Sequence, residues 1–205
     1  MKALRSHLLL VAAGLAAMPV LASAAVFVPD PNMSVVDAVG VGDVLGVAQG
    51  PAPRGFDVEV NDSRGAPNLG AMVTLDFSQT SVRAFLAQNA GTMVNAAART
   101  LSRVATTGRT NFAARTGGFD NAGLVRVSAD GILLRIVPWR SLDFDATDQR
   151  VSLSDLVYLV RRYLAGTVAP ECNFDASASD APDLADLSML ADGYLASGIG
   201  GAYAW

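Results

Sequence analysis

Apolar and polar side chains alternate along several short stretches between residues 56 and 137, a period of two that is typical of β-strands with one buried face. Turn chemistry separates these stretches: Asp, Ser, Gly and Pro at residues 62–67, and the hairpin dipeptide Asp130-Gly131. The pattern predicts strands at 56–61, 72–77, 108–113, 124–129 and 132–137, the last closed by Pro138-Trp139. Because no helical crossover lies between them, we expect an all-β antiparallel sandwich.

One segment of this region departs from the alternation. Residues 81–103 are rich in helix-forming side chains, and Val82, Phe85 and Leu86 are spaced as on one face of a helix. We therefore expect a crossing loop that contains a helical turn.

The pattern changes after residue 142 to two copies of an acidic loop followed by an amphipathic helix. Front halves of the copies are offset by 30 residues and back halves by 31, as expected of an internal repeat with one inserted residue. Ser152 with Asp155, and Asp183 with Asp186, have the spacing of helix caps. The predicted apolar stripes are Leu153, Leu156, Val160 and Leu164 in the first helix and Leu184, Leu187, Leu190 and Leu195 in the second. We expect the helices to pack antiparallel about a pseudo-twofold axis.

Residues 1–24 have the organisation of a secretory signal peptide: two early cations, an apolar run and an Ala-Ser-Ala cleavage site. The chain after residue 24 contains no His and no Lys, which excludes Ser-His-Asp, Cys-His and Schiff-base catalysis. With one cysteine, Cys172, it can form no intrachain disulfide. No later apolar run is long enough to span a bilayer, so we expect a protein that is secreted or extracytoplasmic.

Charge is distributed unevenly along the 205 residues. Residues 25–142 carry nine acidic groups and ten Arg, whereas residues 143–205 carry ten acidic groups and three Arg. The acidic shift marks a domain boundary and argues against a nucleic-acid partner, because phosphate contacts need clustered cations. Nearly all of the acid is Asp, a common ligand of oxygen-coordinated cations.

The β region resembles the bacterial Ig-like repeats of invasin and intimin. The resemblance rests on V-E-V-N-D-S-R-G-A-P-N-L-G-A-M-V-T (58–74), T-G-R-T-N-F (107–112) and G-L-V-R-V-S-A-D-G (123–131). It implies an Ig-like domain over residues 26–140.

Residues 141–197 resemble a dockerin domain, in which two calcium loops of the EF-hand type are each followed by one helix; a tail, 198–205, follows. The resemblance implies Ca²⁺ ligands at Asp143, Asp145, Thr147 and Asp155 in the first copy and at Asn173, Asp175, Ser177 and Asp186 in the second. Asp148 stands where the family has Gly and joins the candidates. A second register begins at Asp175 and adds Ser179 and Asp183. Few charges and long loops predict weak Ca²⁺ binding, with a dissociation constant of about 10⁻⁴–10⁻³ M.

The resemblance implies a non-catalytic module that docks onto a cohesin-like or other surface or scaffold domain. The recognition pairs would be Leu153-Ser154 and Leu184-Ala185. One alternative is a structural or adhesin-type surface protein with a metal-free helical cap. Another is a carboxylate-dependent enzyme acting on polysaccharide, which needs two carboxylates about 5–10 Å apart in a cleft. We expect Trp139 to pack between the domains, Cys172 to be buried or to pair between chains, and the tail to fold back or stay mobile.

Overall fold

The structure of this chain is a computed structural model, which describes residues 27–38, 45–47, 56–88, 90–112, 114–118, 120–144, 150–174, 181–196 and 202–205. The predicted signal peptide lies outside the described residues. Within those ranges, neither helix has the length and apolar character needed to cross a membrane.

The described chain is mostly β-strand, with two helices near its end. The strands are β1 (Val35–Ala38), β2 (Leu45–Val47), β3 (Phe56–Glu59), β4 (Ala71–Asp76), β5 (Arg83–Ala84), β6 (Met93–Asn95), β7 (Thr100–Ala105), β8 (Arg109–Phe112), β9 (Thr116–Gly117), β10 (Asp120–Ala129) and β11 (Ile132–Ser141). The helices are α1 (Leu153–Ala165) and α2 (Leu184–Ala196), with a short 3₁₀ helix, Pro170–Cys172, between them.

Two larger sheets share one buried core, which is compatible with a β-sandwich. One sheet has the order β1-β3-β8 and the other β2-β11-β10-β4-β7-β6; β5 and β9 form a small third sheet. Among the described strands, the pairings are antiparallel except that of β11 with β2. Both larger sheets contribute to the core, among others Val58 and Phe112 from the first and Val73, Leu75 and Val127 from the second. The sequence prediction of mainly antiparallel β-structure followed by two helices is confirmed.

The hairpin between β10 and β11 is confirmed. The prediction that the second strand ends at residue 137, before Pro138, is wrong. Asp130 and Gly131 both have positive φ, 47° and 82°, as hairpin turns require. The strand continues through Trp139 to Ser141. Proline is tolerated because the β10–β11 register shifts between the pairs Asp120/Trp139 and Val125/Val137, an irregularity where a missing N–H breaks no regular ladder.

The helical turn predicted within 81–103 is wrong: its described residues form strands and turns. β6 and β7 are a hairpin whose turn is held by a bond from the Ala98 N–H to Asn95 Oδ1 (3.1 Å). Arg99, with φ of 55°, donates from Nη2 to the carbonyl oxygens of Thr80 and Val82. Leu101 is buried against the sheet. These tertiary contacts override the local helix-forming composition.

The two helices contact each other over a second apolar core. Its fully buried members include Val151, Leu159, Cys172 and Leu190. The start of α1 and the end of α2 line one groove. The antiparallel packing about a pseudo-twofold axis stays a prediction. The predicted stripes were wrong at their ends, because Leu153, Leu164, Leu184 and Leu195 are exposed whereas Leu159 is buried.

The helical pair follows the sheet without an intervening linker. β11 ends at Ser141, and Leu142 already belongs to the second core. The 3₁₀ helix contacts β10 and β11. Buried Arg140 donates from Nη1 to the carbonyl oxygen of Asn173 (2.5 Å). The first acidic loop therefore begins where a central strand of the larger sheet ends.

Candidate metal centre

Five of the predicted ligands lie among the described residues: Asp143, Asp155, Asn173, Asp183 and Asp186. The remaining candidates lie outside the described residues: Asp145, Thr147, Asp148, Asp175, Ser177 and Ser179. The described set marks the two ends of each loop, where the chain leaves the sheet or the 3₁₀ helix and where it enters a helix.

Asp155 closes the first loop by holding both of its ends. Its Oδ1 accepts the backbone N–H of Phe144 (2.7 Å), and its Oδ2 accepts the backbone N–H and the hydroxyl of Ser152 (2.8 and 3.1 Å). Ser152 caps the helix by accepting the N–H of Ser154 (3.2 Å). The Ser152 side chain also accepts the N–H of Asp155, which together with the Asp155 carboxylate on the Ser152 N–H makes a capping box. The carboxylate is 1% exposed, so these charge-assisted bonds are shielded from water.

Asp186 repeats this arrangement in the second copy. Its Oδ1 accepts the N–H of Phe174 (2.5 Å) and its Oδ2 accepts the N–H of Asp183 (2.9 Å). Asp183 caps α2 by accepting the N–H of Ala185 (2.7 Å). Phe174 thus occupies the place of Phe144. This equivalence matches the register in which the second loop begins at Asn173, one of the two registers that the sequence left open.

Asp143 and Asn173, the first predicted ligands of the two loops, are both fully buried. The Asp143 carboxylate accepts a hydrogen bond from the Tyr203 hydroxyl. The backbone carbonyl oxygen of Asp143 accepts the Gly118 N–H (2.7 Å). The Asn173 carbonyl oxygen accepts the Arg140 guanidinium. Each loop is thereby anchored to a different part of the sheet region.

The donor chemistry of these residues fits a hard cation such as Ca²⁺. All of the predicted ligands offer oxygen atoms. An ionised carboxylate has about four lone-pair sites, more than are used by the hydrogen bonds described above for Asp155 and Asp186, which we call the clamp carboxylates. Among the residues that the structure describes, His, Cys, Asp and Glu side chains gather in no group of three or more suited to a metal. The other predicted ligands belong to 145–149 and 175–180.

Two aromatic side chains join the loops at their beginnings. Phe144 stacks on Phe174 with ring centroids 5.6 Å apart and planes inclined by 28°. Phe144 also contacts the Tyr158 ring, at 5.3 Å. Since equivalent residues of the two copies meet here, the first residues of the two loops pack on each other in the second core.

The two copies differ in a side-chain network beside the second core. In the first, the Tyr158 hydroxyl donates to Glu171 Oε1 (2.8 Å), and Arg162 donates to the same hydroxyl (3.2 Å) with its guanidinium 5.1 Å from the ring centroid. Burial raises the pKa of Tyr158, and the hydrogen bond to Tyr158 raises the pKa of Arg162. The positions 31 residues later are Met189 and Gly193. Only the first copy therefore carries this network.

Cys172 is fully buried in the second core, as one of the two expectations for it required. Burial, with a smaller contribution from the Glu171 charge, raises the pKa of the thiol to about 12.

We expect the folded chain to react with iodoacetamide at pH 8 at least 100-fold more slowly than the urea-unfolded chain, because the thiolate is the nucleophile. Above pH 9 the unfolded thiol ionises while the folded thiol keeps its proton. The contribution of Cys172 to stability is therefore complete below pH 9 and falls as the pH rises toward 12. Equal alkylation rates in the two states would contradict the burial.

Three contacts around the loops were missed by sequence reasoning. Arg140 and Tyr203 bond to the first residues of the loops, and Gly117 leaves the space that the Tyr203 hydroxyl fills, since a Cβ there would overlap that oxygen. Trp139, expected between the domains, is instead fully buried in the sandwich core. The described part of the tail, residues 202–205, does fold back, because residues 202–204 pair with residues 84–86.

Comparisons with protein-family models, curated proteins and solved structures found no match to this chain.

Proposed function

We propose that this chain is a secreted or surface-associated, non-catalytic module that binds Ca²⁺ weakly and docks onto another protein. In this proposal the β region is an Ig-like domain of the invasin and intimin type, and the helical pair is a dockerin-like domain. Its partner is a cohesin-like domain or another scaffold domain at or outside the cell surface, including those of polysaccharide-related assemblies.

Exposed apolar side chains at matching places in the two copies carry the docking proposal. Leu153 and Leu184, at the first position of each helix, are 61% and 66% exposed, and Leu164 and Leu195 are 76% and 81% exposed. Leu153 and Leu195 line one groove together, and exposed apolar side chains that lie side by side mark interaction sites. The four exposed leucines include those of both predicted recognition pairs.

Calcium would act at the loops that lead into these leucines. Asp143, Asp155, Asn173 and Asp186 are the described residues that would hold it, together with candidates from 145–149 and 175–180. A bound cation would supply charge neutralisation for the buried carboxylates and would order the loops. The helix positions of Leu153 and Leu184 depend on the loop ends, because the clamp carboxylates hold residues 152 and 183 directly in front of them.

A second candidate is a structural surface protein whose helical pair is a metal-free cap. It is favoured by one observation: Asp155 and Asp186 close their loops with bonds to protein atoms. Such clamps could hold the helices whether or not an ion is bound.

Calcium-dependent capture distinguishes the two candidates. The purified chain is immobilised and exposed to the secreted fraction of its source in Ca²⁺ or in EDTA, beside the variant Leu153→Glu/Leu184→Glu. Docking predicts a protein that is retained in Ca²⁺ and released by EDTA. The amount captured by the double variant should be at least tenfold lower. The control Ile136→Glu alters a side chain that is 50% exposed on β11, and it should retain capture.

Thermal melting of the same proteins completes the test. The docking proposal predicts a melting temperature that rises with Ca²⁺, because an ion that binds only the folded state stabilises it. A melting temperature that is equal in Ca²⁺ and EDTA, with no calcium-dependent capture, would support the metal-free cap.

A further inference from the structure

Residues 202–205 lie in a groove on the sheet region and pair with residues 84–86 through one isolated antiparallel bridge. The Ala202 carbonyl oxygen accepts the N–H of Leu86, and the Ala204 N–H donates to the carbonyl oxygen of Ala84, both at 2.8 Å. Phe85 and Tyr203 form the antiparallel bridge between these bonds. Main-chain pairing of this kind is how strand-acceptor sites bind extended peptides.

The groove has two separate seats for aromatic side chains two residues apart. Tyr203 lies on Phe85, with ring centroids 4.6 Å apart, and reaches the Asp143 carboxylate through the gap left by Gly117.

Trp205 fills the second seat. Its Nε1 donates to the carbonyl oxygen of Val82 (3.0 Å), its ring lies 6.0 Å from that of Phe77, and the Arg99 guanidinium is 5.9 Å from its centroid. Side chains two apart in an extended strand point to the same side, so one aromatic-x-aromatic segment fills both seats.

We propose that this groove is a strand-acceptor site that also takes residues 202–205 of a second copy of the chain, linking chains by exchange of the segment. The contacts given above are made by residues 202–205. In the sequence they follow α2 after five residues, 197–201, which lie outside the described residues, and exchange of an identical element between copies is a low-cost route to dimers. A short connection gives the chain's own segment an effective concentration of about millimolar, so exchange needs high protein concentration or an emptied groove. The proposal does not rest on docking or on calcium binding, but the Tyr203 hydroxyl bonds to Asp143, a residue of the proposed calcium site, so the tests below are run in EDTA as well as in Ca²⁺.

A pair of complementary full-length variants tests the exchange. The acceptor, Tyr203→Ala/Trp205→Ala, has an intact groove and a segment that lacks both aromatic rings. The donor, Gly117→Ala, has an intact segment, but its own groove is blocked where the Tyr203 hydroxyl would sit. We expect each variant to sediment as a monomer and their mixture to form a one-to-one heterodimer. Adding Gly117→Ala to the acceptor should remove the heterodimer.

A peptide makes the test independent of how well the donor folds. Acetyl-Gly-Ala-Tyr-Ala-Trp should bind the acceptor and raise its melting temperature by about 3–6 °C at tenfold excess over Kd. The matched peptide with alanine at both aromatic positions should give no shift. If the acceptor unfolds, labelled peptide is applied to the wild-type chain, where excess unlabelled peptide should compete with it. Absence of both the heterodimer and specific peptide binding would overturn the proposal.

Discussion

Replacement of Asp155 by alanine is expected to lower the free energy of unfolding by about 3 kcal/mol, which corresponds to a fall of roughly 6–12 °C in melting temperature for a chain of this size. The carboxylate is buried and accepts three hydrogen bonds, from the Phe144 N–H and from the N–H and hydroxyl of Ser152. Alanine leaves these donors without that acceptor, the Phe144 N–H in a buried place and the two Ser152 groups in a partly buried one. Both ends of the first loop lose their common anchor.

Three variants place this effect at the clamp, each measured by urea unfolding monitored by circular dichroism. Asp186→Ala removes the equivalent carboxylate and should cost nearly as much. Asp183→Ala removes a cap bond on α2 and should cost about 1 kcal/mol. Asp155→Asn keeps the shape and one acceptor and should lie between. A loss below about 1 kcal/mol for Asp155→Ala would mean that the loop ends are held by other contacts.

Replacement of Trp139 by alanine is expected to cost about 4 kcal/mol, the upper part of the range for large-to-small changes in cores. Its ring is fully buried and meets Phe77 edge-on, with centroids 5.1 Å apart. Its Nε1 donates to the hydroxyl of buried Thr116 (2.9 Å). The substitution removes a large apolar volume and one buried hydrogen bond together.

Trp139→Phe separates the two contributions. It keeps much of the ring volume but removes the donor to Thr116, so about 1–2 kcal/mol of the loss should remain. Equilibrium unfolding in guanidinium chloride measures both variants. A cost for Trp139→Ala no larger than that for Trp139→Phe would contradict a core role for this side chain.

Alternation and turn chemistry were sufficient to predict much of the sheet region. β4 lies within one residue of its predicted bounds, because Val73 and Leu75 face the core while Thr74 faces outward and bonds to Ser102 (2.9 Å). The turn at residues 62–67 is held by Asp62, whose Oδ1 accepts the N–H groups of Arg64 and Ala66. In such places the local sequence specifies the structure, so it can be predicted from the sequence.

The helical pair shows where such reasoning fails. Four leucines at the ends of the predicted stripes are exposed, and Leu159 is buried, because the helices contact each other and the loop phenylalanines rather than a broad surface. Periodicity finds an apolar face but cannot say how much of it a small partner covers. The bonds from Arg140 and Tyr203 to the loops were equally hidden, since they join residues 33 and 60 positions apart.

Each acidic loop is tied at both ends to a single carboxylate, and this separates the loop's content from the placement of its helix. The second loop is one residue longer than the first, yet Asp186 holds Phe174 and Asp183 as Asp155 holds Phe144 and Ser152. Residues between the two hydrogen-bonded ends of a loop can therefore be inserted, lost or exchanged during evolution while the helix keeps its position. Under the proposed function, ion preference and partner choice would change within the loops without moving the helices.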